Sequence, residues 1–411
     1  MNVINKLKQS EKMKKALPIA LCVFVALYTF SMPAFSGRLY FNYISYFFIA
    51  CLSVLTFLHY FLYSKFVFSK ILLIMPFFVL WSFLGTALYS HNFRNWFGLV
   101  LMLYTFALMF YSLKAITDLK KFLKFVLYGI LAFTLYFIFV YRNELVNFKN
   151  ISYFRLGNYF DNPNAIGSYC SFAILIVLYI SLFFDKKKDL FYLFALIPLL
   201  LVGFSTGSRN FMLDIFLYSC LLLFFRLKNK PLLLGIIILS LISAFVILMF
   251  LPFMSTISER ILSAIKNVLG IAQRLDTSLY QRLLWQKYGY FLGSKNLIFG
   301  YGIGGFAKYS GIGTYTHSNF AELLTDFGLV GLILFYLLPL YCFIKVLSSL
   351  KEEKYLVMTI FISVCLIGGF VDIYFSNKTT YILFAVMAYC AEAVPDKKSL
   401  MKYCSTYLIE I

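Results

Sequence analysis

Apolar runs separated by short charged breaks recur along the whole chain, near residues 17–35, 40–63, 70–90, 96–113, 122–140, 165–184, 190–204, 211–225, 232–254, 320–344, 355–376 and 380–394. A helix needs about 20 mainly apolar residues to cross hydrocarbon, where each backbone N–H and C=O must be bonded within its own segment. The pattern therefore predicts an all-α polytopic membrane protein of about twelve transmembrane helices, with residues 1–411 as one transmembrane domain. Continuous apolar runs exclude a transmembrane barrel, whose strands alternate apolar and polar residues. Two connections exceed turn length: residues 141–164 and a loop from about 255 to 319. In the long loop Thr256 with Glu259 reads as a capping box. Ile257, Ile261, Ile265 and Leu269 then recur every four residues, which predicts an amphipathic helix lying on the bundle or at the interface. Ser278 with Gln281 is a second capping box, opening a helix that Gly293 closes. The stretch Gly300–Gly313 is too glycine-rich for a helix, and His317 follows just before the chain re-enters the membrane. No internal repeat, low-complexity tract or soluble domain interrupts the pattern.

Composition narrows the class. At 62% hydrophobic and 13% charged the chain is no water-soluble domain. Its formal charge of +20 comes from Lys and Arg scattered in short clusters between apolar runs. That is the distribution of topology signals, and it argues against a nucleic-acid partner. Lys6, Lys8, Lys12, Lys14 and Lys15 precede the first run and set the N-terminus in the cytoplasm. With an even number of spans the C-terminus is cytoplasmic as well, and the long loop is extracytoplasmic. A second run follows the first at once, so the first helix is expected to stay rather than be cleaved as a signal peptide. All eight cysteines fall in apolar runs or in the C-terminal tail. Neither a disulfide nor a metal site is expected from them.

Three polar clusters lie at or near the outer face. The first runs from Arg155 through Gly157 and Asp161-Asn162-Pro163-Asn164 into a span; its plain reading is a turn in which Asn164 caps the next helix. The second, Ser205-Thr206-Gly207-Ser208-Arg209-Asn210, is a tight turn whose arginine would ordinarily reach for headgroups. The third is the long loop, with Arg282 and Trp285, the glycine-rich stretch, and Thr316-His317-Ser318-Asn319. His317 stands at a helix start, whereas His59 and His91 sit near span ends and read as structural. Glu322 and Asp326 open the following helix, where acids favour the helix dipole, so both a structural and a catalytic role stay open. Asp214 and Asp372 lie within or near the ends of apolar runs. Acids there are costly and count as functional candidates, Asp214 as a partner that orients or balances Arg209. Arginine grips phosphate oxygens bidentately and stays charged, and a histidine that titrates near neutrality can take a proton from a sugar hydroxyl. Together these residues describe glycosyl transfer from a lipid diphosphate without a metal.

At Arg155–Asn164, Gly207-Ser208-Arg209, Arg282 with Trp285, Gly300-Tyr301-Gly302 and His317 leading into Leu323, Gly328 and Gly331, the chain resembles the O-antigen polymerase and ligase superfamily. The motif order matches, and the last motifs fall in the long late loop. The resemblance covers residues 155–335. It implies a bacterial plasma (inner) membrane glycosyltransferase of the GT-C class, acting outside the membrane on undecaprenyl diphosphate-linked glycans. Carried over by position, Arg209 and Arg282 would hold the diphosphate with help from Arg155. His317 would act as the base or orient the acceptor, with Asn164, Asn319, Glu322 and Asp214 in support. Ser318 separates His317 from Asn319, a form closer to polymerases of O-antigen or capsule than to ligases. The expected function is polymerisation of lipid-linked repeat units, beside chain-length regulator and flippase proteins and with no cofactor. A ligase passing finished glycan to lipid A core, and a transporter or flippase of lipid-linked sugars, are the alternatives. A transporter would show charges near mid-membrane, broken helices and related halves; the sequence has no related halves, and its charges gather at the outer edge.

Overall fold

The computed structural model describes residues 10–34, 42–146, 156–184, 190–249, 258, 262 and 277–394. Among these residues every regular element is a helix. The principal ones are α1 (Glu11–Ala34), α2 (Asn42–Tyr63), α3 (Lys70–Ser90), α4 (Phe93–Ile116), α5 (Leu119–Val140), α6 (Pro163–Phe183) and α7 (Leu190–Ser205). They continue as α8 (Arg209–Leu227), α9 (Pro231–Met249), α10 (Thr277–Lys295), α11 (Gly305–Ser310), α12 (Asn319–Leu347), α13 (Glu353–Phe370) and α14 (Lys378–Glu392). Nine of them, α1–α6, α8, α12 and α13, are long and apolar enough to cross a membrane. The other three expected spans fall on α7, α9 and α14. Phe47, Phe57, Phe77, Phe97 and Phe139 stand exposed around the bundle. That apolar perimeter is what lipid tails cover, and the chain is a multi-pass membrane protein.

Local chemistry sets the helix starts. Asn92, Asp118, Asn162, Ser208, Ser318 and Asn377 each accept a hydrogen bond from the first turn of the helix they open. The cap of α6 is thus Asn162, whose side chain accepts from Asn164 N at 3.0 Å, and not Asn164. Pro163 fixes this register, because proline is favoured at the first helical position, where its missing N–H costs nothing. Two helices form the centre. The side chains of α6 are buried from Ile166 to Val177, between α5, α7 and α8. Those of α14 are buried from Thr379 to Ala388, against α4 and α12.

The second half of the long loop departs from expectation. The predicted amphipathic helix at 257–269 lies outside the described residues. Helix α10 already includes Thr277 and Ser278, and it continues through Gly293 to Lys295. Gly293 is there for packing: a side chain at this position would press on Leu324 of α12. The glycine-rich stretch does hold a helix, the short α11, between Gly304 and Gly311, both left-handed.

Helix α12 is broken at Gly328, whose φ of 67° and ψ of −172° no helix tolerates. The backbone groups this break releases are taken by neighbours. Tyr301 N donates to Thr325 O at 2.8 Å, Gly302 N to Asp326 O at 2.7 Å, and Leu329 N to Leu297 O at 2.7 Å. Trp81 Nε1 donates to Phe327 O at 2.9 Å while its ring stacks on Phe299. The part beyond the break, residues 329–347, would extend about 28 Å, enough for the hydrocarbon layer by itself. Residues 319–327 form a separate half-helix flanked by α10 and the glycine turns.

Candidate active site

His317 stands on the turn that leads into α12, with a left-handed φ of 59° that is costly for a side chain with a Cβ. Its neighbours hold the turn. Thr316 N donates to Glu322 Oε2 at 2.7 Å, and Thr316 Oγ1 donates to Ser318 O at 2.9 Å. Ser318 caps α12 and donates its hydroxyl to Gly369 O at 3.1 Å. The residue that separates His317 from Asn319 is therefore the helix cap itself. Glu322 serves this turn, and Asp326 serves the next one, accepting from Gly304 N at 2.9 Å and Phe306 N at 3.3 Å.

Helix α10 presents one face to this turn. Trp285 stacks on the His317 ring with centroids 5.5 Å apart and planes 15° apart, and Tyr315 flanks it at 4.3 Å. Arg282, one turn before Trp285, acts on the same imidazole. Burial, with this guanidinium adding to it, lowers the His317 pKa to about 4. Gln286 donates to His317 O at 3.2 Å and to Phe370 O at 3.1 Å, tying α10 to the end of α13. Further down this face, Thr325 Oγ1 donates to Gly289 O at 2.8 Å.

The segment between α13 and α14 is the junction of the whole site. Asn319 Oδ1 accepts from Tyr374 N and Phe375 N, both at 2.9 Å, and Asn319 Nδ2 donates to Tyr336 OH at 2.8 Å. This fixes half-buried Asp372, whose Oδ2 accepts from Asn210 Nδ2 at 2.9 Å. Burial raises the Asp372 pKa, opposed by Ile373 N–H, the Asn210 amide and Arg282. Asn210 follows Arg209, the first residue of α8, so the arginine turn docks here. That turn also carries the first cluster, because Leu156 N donates to Ser205 O at 3.1 Å. Arg155 lies outside the described residues. Asp214, a turn and a half into α8, accepts from Ser171 Oγ of α6 at 2.9 Å.

The three clusters thus converge on one end of the bundle, with Arg282, His317 and Asp372 as electrostatic neighbours and Arg209 beside the Asn210 that binds Asp372. A cavity of about 890 Å³ adjoins them, walled by Arg94, Tyr315, Glu322, Asp326 and Asp372 rather than by Arg209, Arg282 or His317. From the sequence Asp372 stands without a partner and Asn210 stands in the arginine turn without a role, while Gln286 and Arg94 are not singled out. Gln286 had a signal: Arg282, Trp285, Gln286 and Gly289 recur at the three- and four-residue spacing of one helix face. Asn210 had none beyond its place next to Arg209.

No curated protein matches the chain. Residues 194–336 match the family model described as O-Antigen ligase. The matched stretch holds Arg209, Arg282, the glycine turns and His317, and with the membrane-spanning bundle around them it supports the chain's place in the O-antigen polymerase and ligase superfamily.

Proposed function

We propose that the chain is a glycosyltransferase of the GT-C class in a bacterial plasma membrane, polymerising lipid-linked polysaccharide repeat units at its extracytoplasmic face. One observation carries the reading: Arg282 acts on both His317 and Asp372, and Asp372 is bonded to the turn that bears Arg209. Two guanidinium groups on facing elements suit a diphosphate, whose charge grows as it leaves. The acceptor hydroxyl oxygen attacks the anomeric carbon of the donor sugar from the face opposite the diphosphate. The bond from that carbon to the diphosphate oxygen breaks, and the diphosphate departs with its electron pair. The hydroxyl proton passes to neutral His317, and the anomeric configuration inverts. Glu322, Asp326 and Asn319 hold backbone in this scheme, and Asp214 steadies α8 against α6.

Purified protein given its lipid-linked repeat unit should produce a ladder of longer chains. His317→Ala and Arg282→Ala, inserted normally, should slow the ladder by roughly a hundredfold or more. An undiminished ladder from either variant overturns the site. The family description favours a second reading, a ligase that passes finished glycan to lipid A core or another acceptor. Cells lacking the gene separate the two, because single repeats accumulate on the carrier without a polymerase and long chains accumulate without a ligase.

A further inference from the structure

Two cavities meet at Asp372. The larger, of about 890 Å³, follows α4 from Arg94 to Met102 and has apolar walls at Leu99, Met102, Ile303 and Phe375. The smaller, of about 210 Å³, lies between the starts of α6 and α14 and is walled by Asp161, Asn162, Asn164, Ser168, Asn377 and Lys378. Tyr315, Asp372, Ile373 and Ser376 line both. We propose that the smaller cavity is the subsite for the acceptor's terminal sugar, and that Lys378, Asp161 and Asn164 select which sugar may attack.

This assignment rests on the glycosyl-transfer reading above and adds the substrate's position to it. A sugar ring offers hydroxyls that donate and accept in every direction, and apolar C–H faces. The smaller cavity supplies a carboxylate, an ammonium, amides and hydroxyls, and the aromatic rings of Tyr169 and Tyr315. The choice of acceptor over donor follows from where the lipid is attached. The donor sugar is bonded to its lipid diphosphate and needs an apolar passage beside it, which only the larger of these two cavities has. The acceptor sugar attacks from the end of its glycan farthest from its own lipid, so polar walls suit it.

Lys378 brings a cation to the wall of the smaller cavity. It is the first residue of α14, where the helix dipole disfavours a cation, so helix stability gives no reason for it. The charge of Asp161 acts on it across the cavity. At the junction Tyr315, which lines both cavities, packs on the His317 ring at 4.3 Å and so links the subsite to the proposed base.

The probe is the single repeat unit that accumulates in cells lacking the gene, freed from lipid and diphosphate by mild acid. Saturation-transfer NMR with the detergent-solubilised protein should show this oligosaccharide bound to the wild type and to His317→Ala. Lys378→Met and Asn164→Ala should weaken binding and raise the KM for the oligosaccharide as acceptor roughly tenfold. Ser376 is exposed, so Ser376→Trp narrows the junction without disturbing the core and should do the same even if an interior variant fails to fold. Oligosaccharide binding unchanged in Ser376→Trp and in the folded cavity variants overturns the subsite while a wild-type ladder leaves the polymerase reading standing. Binding that depends on the cavity in a protein that makes no ladder overturns the polymerase reading and keeps the sugar site. A wild type that does neither overturns both.

Discussion

His317 is half-buried between two aromatic rings and faces a guanidinium, and these surroundings keep its imidazole neutral well below pH 6.5, where an ordinary histidine charges. Its affinity for a proton is therefore low in the free protein. A diphosphate bound at Arg282 would cancel much of the positive field and raise that affinity when the acceptor hydroxyl must give up its proton. We expect the acid limb of kcat/KM, which reports the free enzyme, near pH 4, and the acid limb of kcat at higher pH. Coincident limbs would contradict this. Residual activity of Arg282→Gln should show its kcat/KM limb shifted upward, since the largest cause, burial, remains but the added field is gone. Stability follows the same sign. Between pH 6.5 and about 4 an unfolded chain takes up a proton that folded His317 refuses, so stability falls as pH drops through that window and levels off below it.

At the scale of elements the half-helix 319–327 carries the site, and its two ends can be tested separately. Ser318→Ala removes the cap of α12 and the bond to Gly369 O, which should cost about 1 kcal/mol. Gly328→Ala should cost more, because a Cβ at φ 67° would meet the carbonyls of Leu297 and Ile298. Thermal melts of the solubilised protein rank the two, and equal or reversed losses would mean the break is not strained as described. The loop's irregularities were hidden from sequence for a shared reason. Gly293 carries the local signal of a helix end, yet its role is set by Leu324, thirty-one residues away. Gly328 looks like any small residue in an apolar run until the carbonyls of 297 and 298 reach it. Caps act within three residues, yet local sequence does not single them out: Asn164 and Asn162 are both cap formers flanking one proline, and only Asn162 caps, while the helix expected to open at Ser278 already includes Thr277.

For the whole molecule, hydropathy alone was enough to read a helical membrane bundle, because the cost of an unbonded backbone group in hydrocarbon leaves few alternatives. Span topology puts three polar clusters at one face, and the resemblance adds their motif order. Their meeting point, the segment around Asp372, lies beyond the matched residues and depends on tertiary bonds from Asn210 and Asn319. Orientation is open to a direct check. Ser310→Cys, beside the site, should react with a membrane-impermeant thiol reagent in intact spheroplasts, while fully exposed Leu350→Cys, in the connection after α12, should react only after permeabilisation. The reverse pattern would invert the topology.

The break at Gly328 also constrains how the protein is made. Four backbone groups there are bonded by residues 297, 301 and 302 of the loop and by Trp81, all synthesised before α12 leaves the ribosome. The loop must already be in place beside the bundle when α12 inserts, because until then those groups have no partners in a medium that offers none. Insertion of α12 and folding of the loop are on this account coupled, and the site is completed only afterwards, when the later segment around Asp372 is bonded by Asn210 and Asn319.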